Sequence, residues 1–212
     1  MFASLKKRLP SCALAAALCV LAAPFAQAGI VYTDRAAAPL KIKNTFNGTY
    51  LNVVNGDSGS NQGNVAGWDI NVYNNGSGLT FYSDTGAIRA NANGALAMNA
   101  GQQIGPNGNF ISGTTAGTAF QTDGEEYLGF KFLNESTGAF NFGWALLSTT
   151  NKNNNNDGFP AEILGYAYEN SGAAIRAGAT GLVAAVPEPG SFALFGFGLA
   201  ALGVAARRRR PA

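Results

Sequence analysis

The chain contains no histidine, and both of its cysteines, Cys12 and Cys19, stand within the first 28 residues. Without histidine there is no Ser-His-Asp or Cys-His nucleophilic machinery and no imidazole-ligated metal. Without a later cysteine there is no thiolate zinc site, haem thiolate or disulfide in the rest of the chain. Charge is also scarce, at 12% of residues. The first 28 residues and the tail after Val186 hold seven of the 14 basic residues but only one of the 12 acids. The middle, 29–186, is left with 7 basic and 11 acidic residues, a net charge of 4 negative. Nucleic-acid binding needs clustered Lys and Arg to displace counterions, so an acidic middle argues against such a partner. No glycine loop ending in Gly-Lys-Ser/Thr and no G-x-G-x-x-G opening a helix is present, so nucleotide-cradling chemistry is excluded as well.

What is there begins with a secretory signal. Lys6, Lys7 and Arg8 precede an apolar stretch from Cys12 to Ala23, and Ala26-Gln27-Ala28 places small residues at the two positions a signal peptidase inspects. The mature chain is expected to start at Gly29, which makes signal peptidase and the secretion machinery the first partners. The apolar run is shorter than the ~20 residues of a membrane span. Leu18 before Cys19, where a small residue would be needed, speaks against lipoprotein processing.

The tail reads VPEPGSFALFGFGLAALGVAARRRRPA: the triplet Pro187, Glu188, Pro189, an uncharged run from Ser191 to Ala206, then Arg207, Arg208, Arg209 and Arg210. Two prolines around Glu188 keep the chain extended, a shape a protease cleft can grip. As a helix the run would be about 24 Å long at ~1.5 Å per residue, a short span for a ~30 Å hydrocarbon core that snorkelling arginines can complete. The arginine cluster should stay on the cytoplasmic side, leaving the domain outside. This three-part order closely resembles the PEP-CTERM sorting signal. The resemblance implies handling by an exosortase-type membrane protease in a Gram-negative bacterium that makes exopolysaccharide. It further implies a transient inner-membrane tether, then delivery to the cell surface or extracellular matrix. The chain thus divides into a signal peptide (1–28), one domain (29–183) and a sorting tail (184–212), with a single transmembrane helix at about 190–206.

Between the signals, short runs alternate apolar and polar residues and are punctuated by Gly, Asn, Ser and Thr, the pattern of β-strands. WDINVY (68–73) and LTFYS (79–83), separated by Asn74-Asn75-Gly76-Ser77-Gly78, predict a hairpin in which Trp68, Ile70 and Val72 share one face and Asp69, Asn71 and Tyr73 the other. Further strands are expected at 40–46, 49–54, 86–90, 127–133, 139–148 and 162–169, and no helical period of ten or more residues occurs. Phe140, Phe142, Trp144 and Leu146 fall on one strand face and read as a core ridge. Asn141, Gly143 and Ala145 opposite are small enough for a second sheet or loop to approach. The expected fold is an all-β, antiparallel two-sheet sandwich, jelly-roll-like. The segments YLGFKF, FGWALL, ILGYAYE and AIRAG, within 127–178, also resemble the β-sandwich domain often found ahead of PEP-CTERM tails. That resemblance implies fold and location and carries no catalytic residue.

Three functions compete for such a domain. The first is a structural or interaction protein of the envelope or exopolysaccharide matrix, a non-enzyme without a cofactor. The second is a carbohydrate-binding module, using Tyr50, Tyr73, Tyr82 or Tyr166 where these stand exposed. The third is a carboxylate-dependent glycan-active enzyme drawing on Asp123, Glu125, Glu126 and Glu162. Glu125 and Glu126 are adjacent and so face opposite sides of a strand. The oxygen-rich loops NGDSGSNQGN and NKNNNNDG read as polar turns, with Asp57 and Asn61 as candidate Ca2+ ligands.

Overall fold

A computed structural model describes residues 29–151 and 156–181. Among the described residues sixteen strands follow one another: β1 (Ile30–Asp34), β2 (Leu40–Ile42), β3 (Thr49–Leu51), β4 (Ser58–Gly59), β5 (Ile70–Asn74), β6 (Leu79–Tyr82), β7 (Ala87–Asn91), β8 (Gly94–Ala95), β9 (Ala97–Met98), β10 (Gln103–Ile104), β11 (Phe110–Ile111), β12 (Gly113–Thr115), β13 (Gly124–Asn134), β14 (Ala139–Thr149), β15 (Ala161–Glu169) and β16 (Ile175–Arg176). The helical elements among these residues are two 3-10 turns, Gln62–Asn64 and Thr118–Gln121. No helix among them is long and apolar enough to cross a membrane. The signal peptide expected at 1–28 and the transmembrane helix expected near 190–206 lie outside the described residues.

The pairings are antiparallel and make two sheets and a ribbon. The large sheet runs β1-β15-β14-β13-β7-β11, with β2 alongside β15, β9 on β13 and β8 on β7. The small sheet runs β12-β6-β5-β3-β4, and β10 pairs with β16. One continuous apolar core lies between the sheets, joining Leu128, Phe130, Phe132, Ala145, Leu147, Ile163, Tyr166 and Tyr168 to Leu51, Ile70, Val72, Leu79 and Phe81. This is the expected sandwich of antiparallel sheets. Each large side chain so buried contributes roughly 1.5–3 kcal/mol. The β13–β14 hairpin turns where the sequence indicates: Ser136 N–H donates to Asn134 Oδ1 (3.0 Å), Gly138 N–H to Asn134 O (2.7 Å), and Gly138 takes φ +69°.

The structure corrects three expectations. The Phe140/Phe142/Trp144/Leu146 face of β14 does not point into the sandwich. The opposite face does, through Ala145 and Leu147, and small residues at Gly143 and Ala145 let Phe130 and the second sheet close on it. Phe142 and Trp144 instead join a second core on the outer side of the large sheet with Met98, Ile104, Ala167, Ile175 and Ala177, while Phe140 is 50% exposed. The strands expected at 40–46 and 49–54 shorten to β2 and β3. The chain turns between them, with Lys43 N–H on Thr49 Oγ1 (3.0 Å) and Gly48 N–H on Thr45 O (3.1 Å). The alternation across WDINVY also breaks before Ile70. Asp69 turns inward, 1% exposed, to accept from Val53 N–H (2.7 Å), whereas Trp68 belongs to neither core.

Candidate ligand-binding face

With Leu51, Ile70, Val72, Leu79 and Phe81 turned into the core, strand alternation sends Tyr50, Asn71, Tyr73, Thr80 and Tyr82 to the solvent side of the small sheet. The register sets five of the outer residues in one row across its strands: Gly59 opposite Tyr50, Tyr50 opposite Asn71, Asn71 opposite Tyr82, Tyr82 opposite Gly113. Two tyrosines therefore flank one asparagine, and a glycine lies beyond each. A Cβ on Gly113 would stand 2.9 Å from the Tyr82 ring, and one on Gly48 would collide with Tyr73 Cβ and Val72 O. The absence of side chains at these positions lets the rings lean over the backbone.

Trp68 stands between the two tyrosines that flank Asn71. Its ring meets Tyr50 edge to face at 4.9 Å and Tyr82 at 5.9 Å, so although only 8% exposed it is covered by other aromatics of this face. Phe46, 76% exposed, meets Tyr73 at 5.9 Å. Beneath the rings Asn71 is buried, and its Oδ1 has no hydrogen-bond partner. Burial pushes the Tyr73 hydroxyl above its ordinary pKa, with smaller contributions from Tyr82 and Tyr50, so it remains a neutral donor and acceptor. The rings of Tyr50, Tyr73, Tyr82 and Phe46 give this face apolar flat surfaces of the kind that meet the C–H face of a sugar.

Of the four tyrosines considered from sequence, the fold thus gathers Tyr50, Tyr73 and Tyr82 and buries Tyr166, 1% exposed, in the sandwich core. Tyr166 lies on β15, which is covered on both sides, so alternation could not tell it from the others. Asn71 was legible as an outward residue of WDINVY. Trp68 and Phe46 were not, because they lie beside strands rather than in them.

The acids form no comparable site. Glu125, Ser148, Glu162 and Lys41 share a row on the large sheet. The two carboxyl-bearing residues stand side by side about two strand spacings, roughly 10 Å, apart rather than across a cleft. Glu126 faces the other way, and Asp123 Oδ1 accepts from Asn151 N–H (3.0 Å). Asp57 Oδ2 accepts from Asn55 Nδ2 (2.9 Å), and Asn61 Oδ1 caps the turn at Gly63 N–H (3.0 Å). Both candidate calcium ligands thus serve their own loops. Among the described residues no three acids gather as a metal cluster.

Asp69 differs from these acids. Burial pushes its carboxyl up to about 8, opposed by the bond from Val53 N–H and helped by the charge of Glu135. Glu135 reaches the same corner from the β13–β14 turn, where Asn52 Nδ2 donates to its Oε1 (3.0 Å) and to Ala66 O and Gly67 O. This network ties one sheet to the other.

Ala26, Ala28, Pro187, Glu188, Pro189, Arg207, Arg208, Arg209 and Arg210 lie outside the described residues. Gly29, the expected first mature residue, donates its N–H to Asn170 Oδ1 (3.0 Å), immediately before β1. A Cβ on Gly181 would touch Ile30, so the two ends of the described chain lie together. Residues 185–210 match the family model of the PEP-CTERM protein-sorting motif. No curated protein and no solved structure matches the chain. The chain therefore carries a PEP-CTERM sorting motif at its C-terminal end, the mark of an exported exosortase substrate.

Proposed function

We propose that this exosortase-sorted domain is an interaction protein of the cell surface or exopolysaccharide matrix of a Gram-negative bacterium, and that it holds extracellular polysaccharide on the aromatic face of its small sheet. The reading involves binding without turnover and needs no cofactor. Pro187, Glu188 and Pro189 are the triplet the exosortase reads, and Arg207 to Arg210 hold the tail on the cytoplasmic side until it does. The observation that carries the binding assignment is the Tyr50–Asn71–Tyr82 row. Its rings are packed around Trp68 outside either core, with Tyr82 and Phe46 exposed. The Tyr50 and Tyr82 rings, with Tyr73 and Phe46 beside them, offer apolar faces to the C–H side of a sugar.

The test is a glycan array with polysaccharide pull-downs on the purified mature protein, with and without calcium. Binding to neutral polysaccharide is expected, weakened at least about tenfold, or about 1.4 kcal/mol, by combined Tyr50→Ala and Tyr82→Ala. Phe140→Ala, on the other sheet, should leave it intact. A flat array for the wild-type protein in both conditions would sink the reading.

A further inference from the structure

The outer core of the large sheet stops short of one end of the sandwich. Phe142 and Phe110 close it there, their rings 5.9 Å apart. Beyond them Leu133 and Phe140, paired across the β13–β14 hairpin and on the same face, belong to neither core. Phe140 is 50% exposed and Leu133 half-buried. Lys131, the next residue of that face, holds its ammonium between two rings, 5.6 Å from the centroid of Phe140 and 5.7 Å from that of Phe110. Both ends of the described chain emerge beside this tip. Ile30, Glu169 and Phe142 form one row across β1, β15 and β14. Gly29 N–H donates to Asn170 Oδ1 (3.0 Å), Asn170 N–H donates to Gly29 O (3.1 Å), and a Cβ on Gly181 would touch Ile30. Phe140 lies two strand spacings and two residues from Ile30, about 12 Å. Glu169, the acid of that row, is engaged by Ser171 N–H (3.0 Å), Ser171 Oγ (2.8 Å) and Ala173 N–H (2.7 Å).

Nine residues, 182–190, separate Gly181 from the uncharged run that starts at Ser191. Fully extended, they reach at most ~32 Å. A domain of this length is about 40 Å across. The linker therefore cannot pass round the sandwich to bring its far end to the membrane, whereas the Leu133 and Phe140 tip stands beside the point of departure. Apolar side chains flanked by a lysine suit the headgroup boundary of a bilayer: the rings enter the acyl edge and the ammonium stays with the phosphates. The domain's net charge of 4 negative disfavours an anionic surface and leaves a zwitterionic one. We propose that Leu133 and Phe140, with Lys131 and Phe110 beside them, seat the domain on the zwitterionic surface of the bilayer that holds its tail. A contact of so few side chains suffices, because a short tether raises the effective concentration to about the millimolar range. Seated this way, the domain keeps the aromatic face of its small sheet, on the opposite side of the sandwich, clear of the lipid. The proposal rests on the sorting-tail reading above and is independent of the polysaccharide assignment.

The experiment uses the exported chain with its tail, residues 29–212, from a host without the protease, reconstituted in dioleoylphosphatidylcholine vesicles with and without bromine on the acyl chains. A tryptophan reporter replaces each exposed phenylalanine in turn, Phe140→Trp and Phe46→Trp. Trp68 and Trp144, 8% and 3% exposed, give the background measured on the wild-type chain. Bromolipid should quench the added emission of Phe140→Trp by at least about half and leave that of Phe46→Trp unchanged, since only a ring at the acyl edge meets the bromine. Adding Leu133→Asp to Phe140→Trp should restore the emission. Should that double variant fail to fold, the two single reporters still decide. Flotation with the vesicles reads the tail separately: a chain that does not float removes the sorting-tail reading and this proposal together. A chain that floats with Phe140→Trp unquenched, or with both reporters quenched alike, overturns this proposal alone. Phe140→Trp emission that is blue-shifted yet unquenched makes the occupant a second copy of the chain and overturns the lipid assignment.

Discussion

Both sheets carry a band of aromatic rings on the side away from the sandwich interior, and the two bands have opposite fates. On the large sheet, Trp144 packs against Tyr32 at 5.7 Å and Tyr127 at 5.2 Å, and its Nε1–H donates to Ala179 O (3.0 Å). The β10–β16 ribbon adds Ile104 and Ile175 to the same cluster, so these rings form a second core. On the small sheet, Tyr50, Trp68, Tyr73 and Tyr82 have comparable ring contacts, yet neither core includes them and Phe46 stands open beside them. An aromatic row becomes core when a later segment returns to cover it and stays a surface when none does. Strand alternation is the same in both.

The sharpest way to break this contrast is at the covered band. Trp144→Ala removes a ring that is 3% exposed together with its bond to Ala179, and a loss of roughly 3–5 kcal/mol is expected in urea unfolding. A loss under about 1 kcal/mol would mean that the ribbon is not a working cover.

At the corner where the sheets are tied together, the expected effect depends on pH. The folded-state pKa of Asp69, about 8, lies above its ordinary value of 3.8. Below pH ~4 both folded and unfolded chains hold the proton. As pH rises toward about 8 the unfolded chain releases it first, so stability should fall across that window, by on the order of a few kcal/mol. Asp69→Asn keeps an acceptor for Val53 N–H and should flatten the dependence. Parallel pH profiles of chemical unfolding for the two proteins would refute this assignment.

The smallest effect belongs to the open band. Tyr82→Ala should change folding stability by less than about 1 kcal/mol, since the ring is 38% exposed among the described residues. A loss approaching that of Trp144→Ala in the same unfolding assay would make the open face structural and remove the contrast.

Much of this architecture was legible beforehand. The hairpins β5–β6 and β13–β14 follow from period-two runs separated by Asn/Gly/Ser turns, and β7 and β15 appear within one residue of the expected spans. The strands β4, β8, β9, β10, β11 and β16 are two residues long, below the length at which any period can be read. Of the proposed ligand face, Tyr50, Tyr73 and Tyr82 were nameable in advance. Strict alternation puts Trp68 on the wrong side, because the break at Asp69 depends on Val53, a residue of another loop.

The sequence by itself determined the sorting class, through the contiguous Pro-Glu-Pro, apolar and arginine blocks. It also determined the all-β character, through alternation and turn chemistry, and the exclusion of histidine and thiol chemistry. Each of these is a property of neighbours along the chain. Only the tertiary structure decided which aromatic band is covered, that Tyr166 is core while Tyr82 is surface, and that Arg89 Nε is buried without a hydrogen-bond partner. Those outcomes depend on which distant segment packs against a given face, such as Ala179 over Trp144 or Gly108 beside Arg89. Local periodicity fixes the side to which a residue points, not what meets it there.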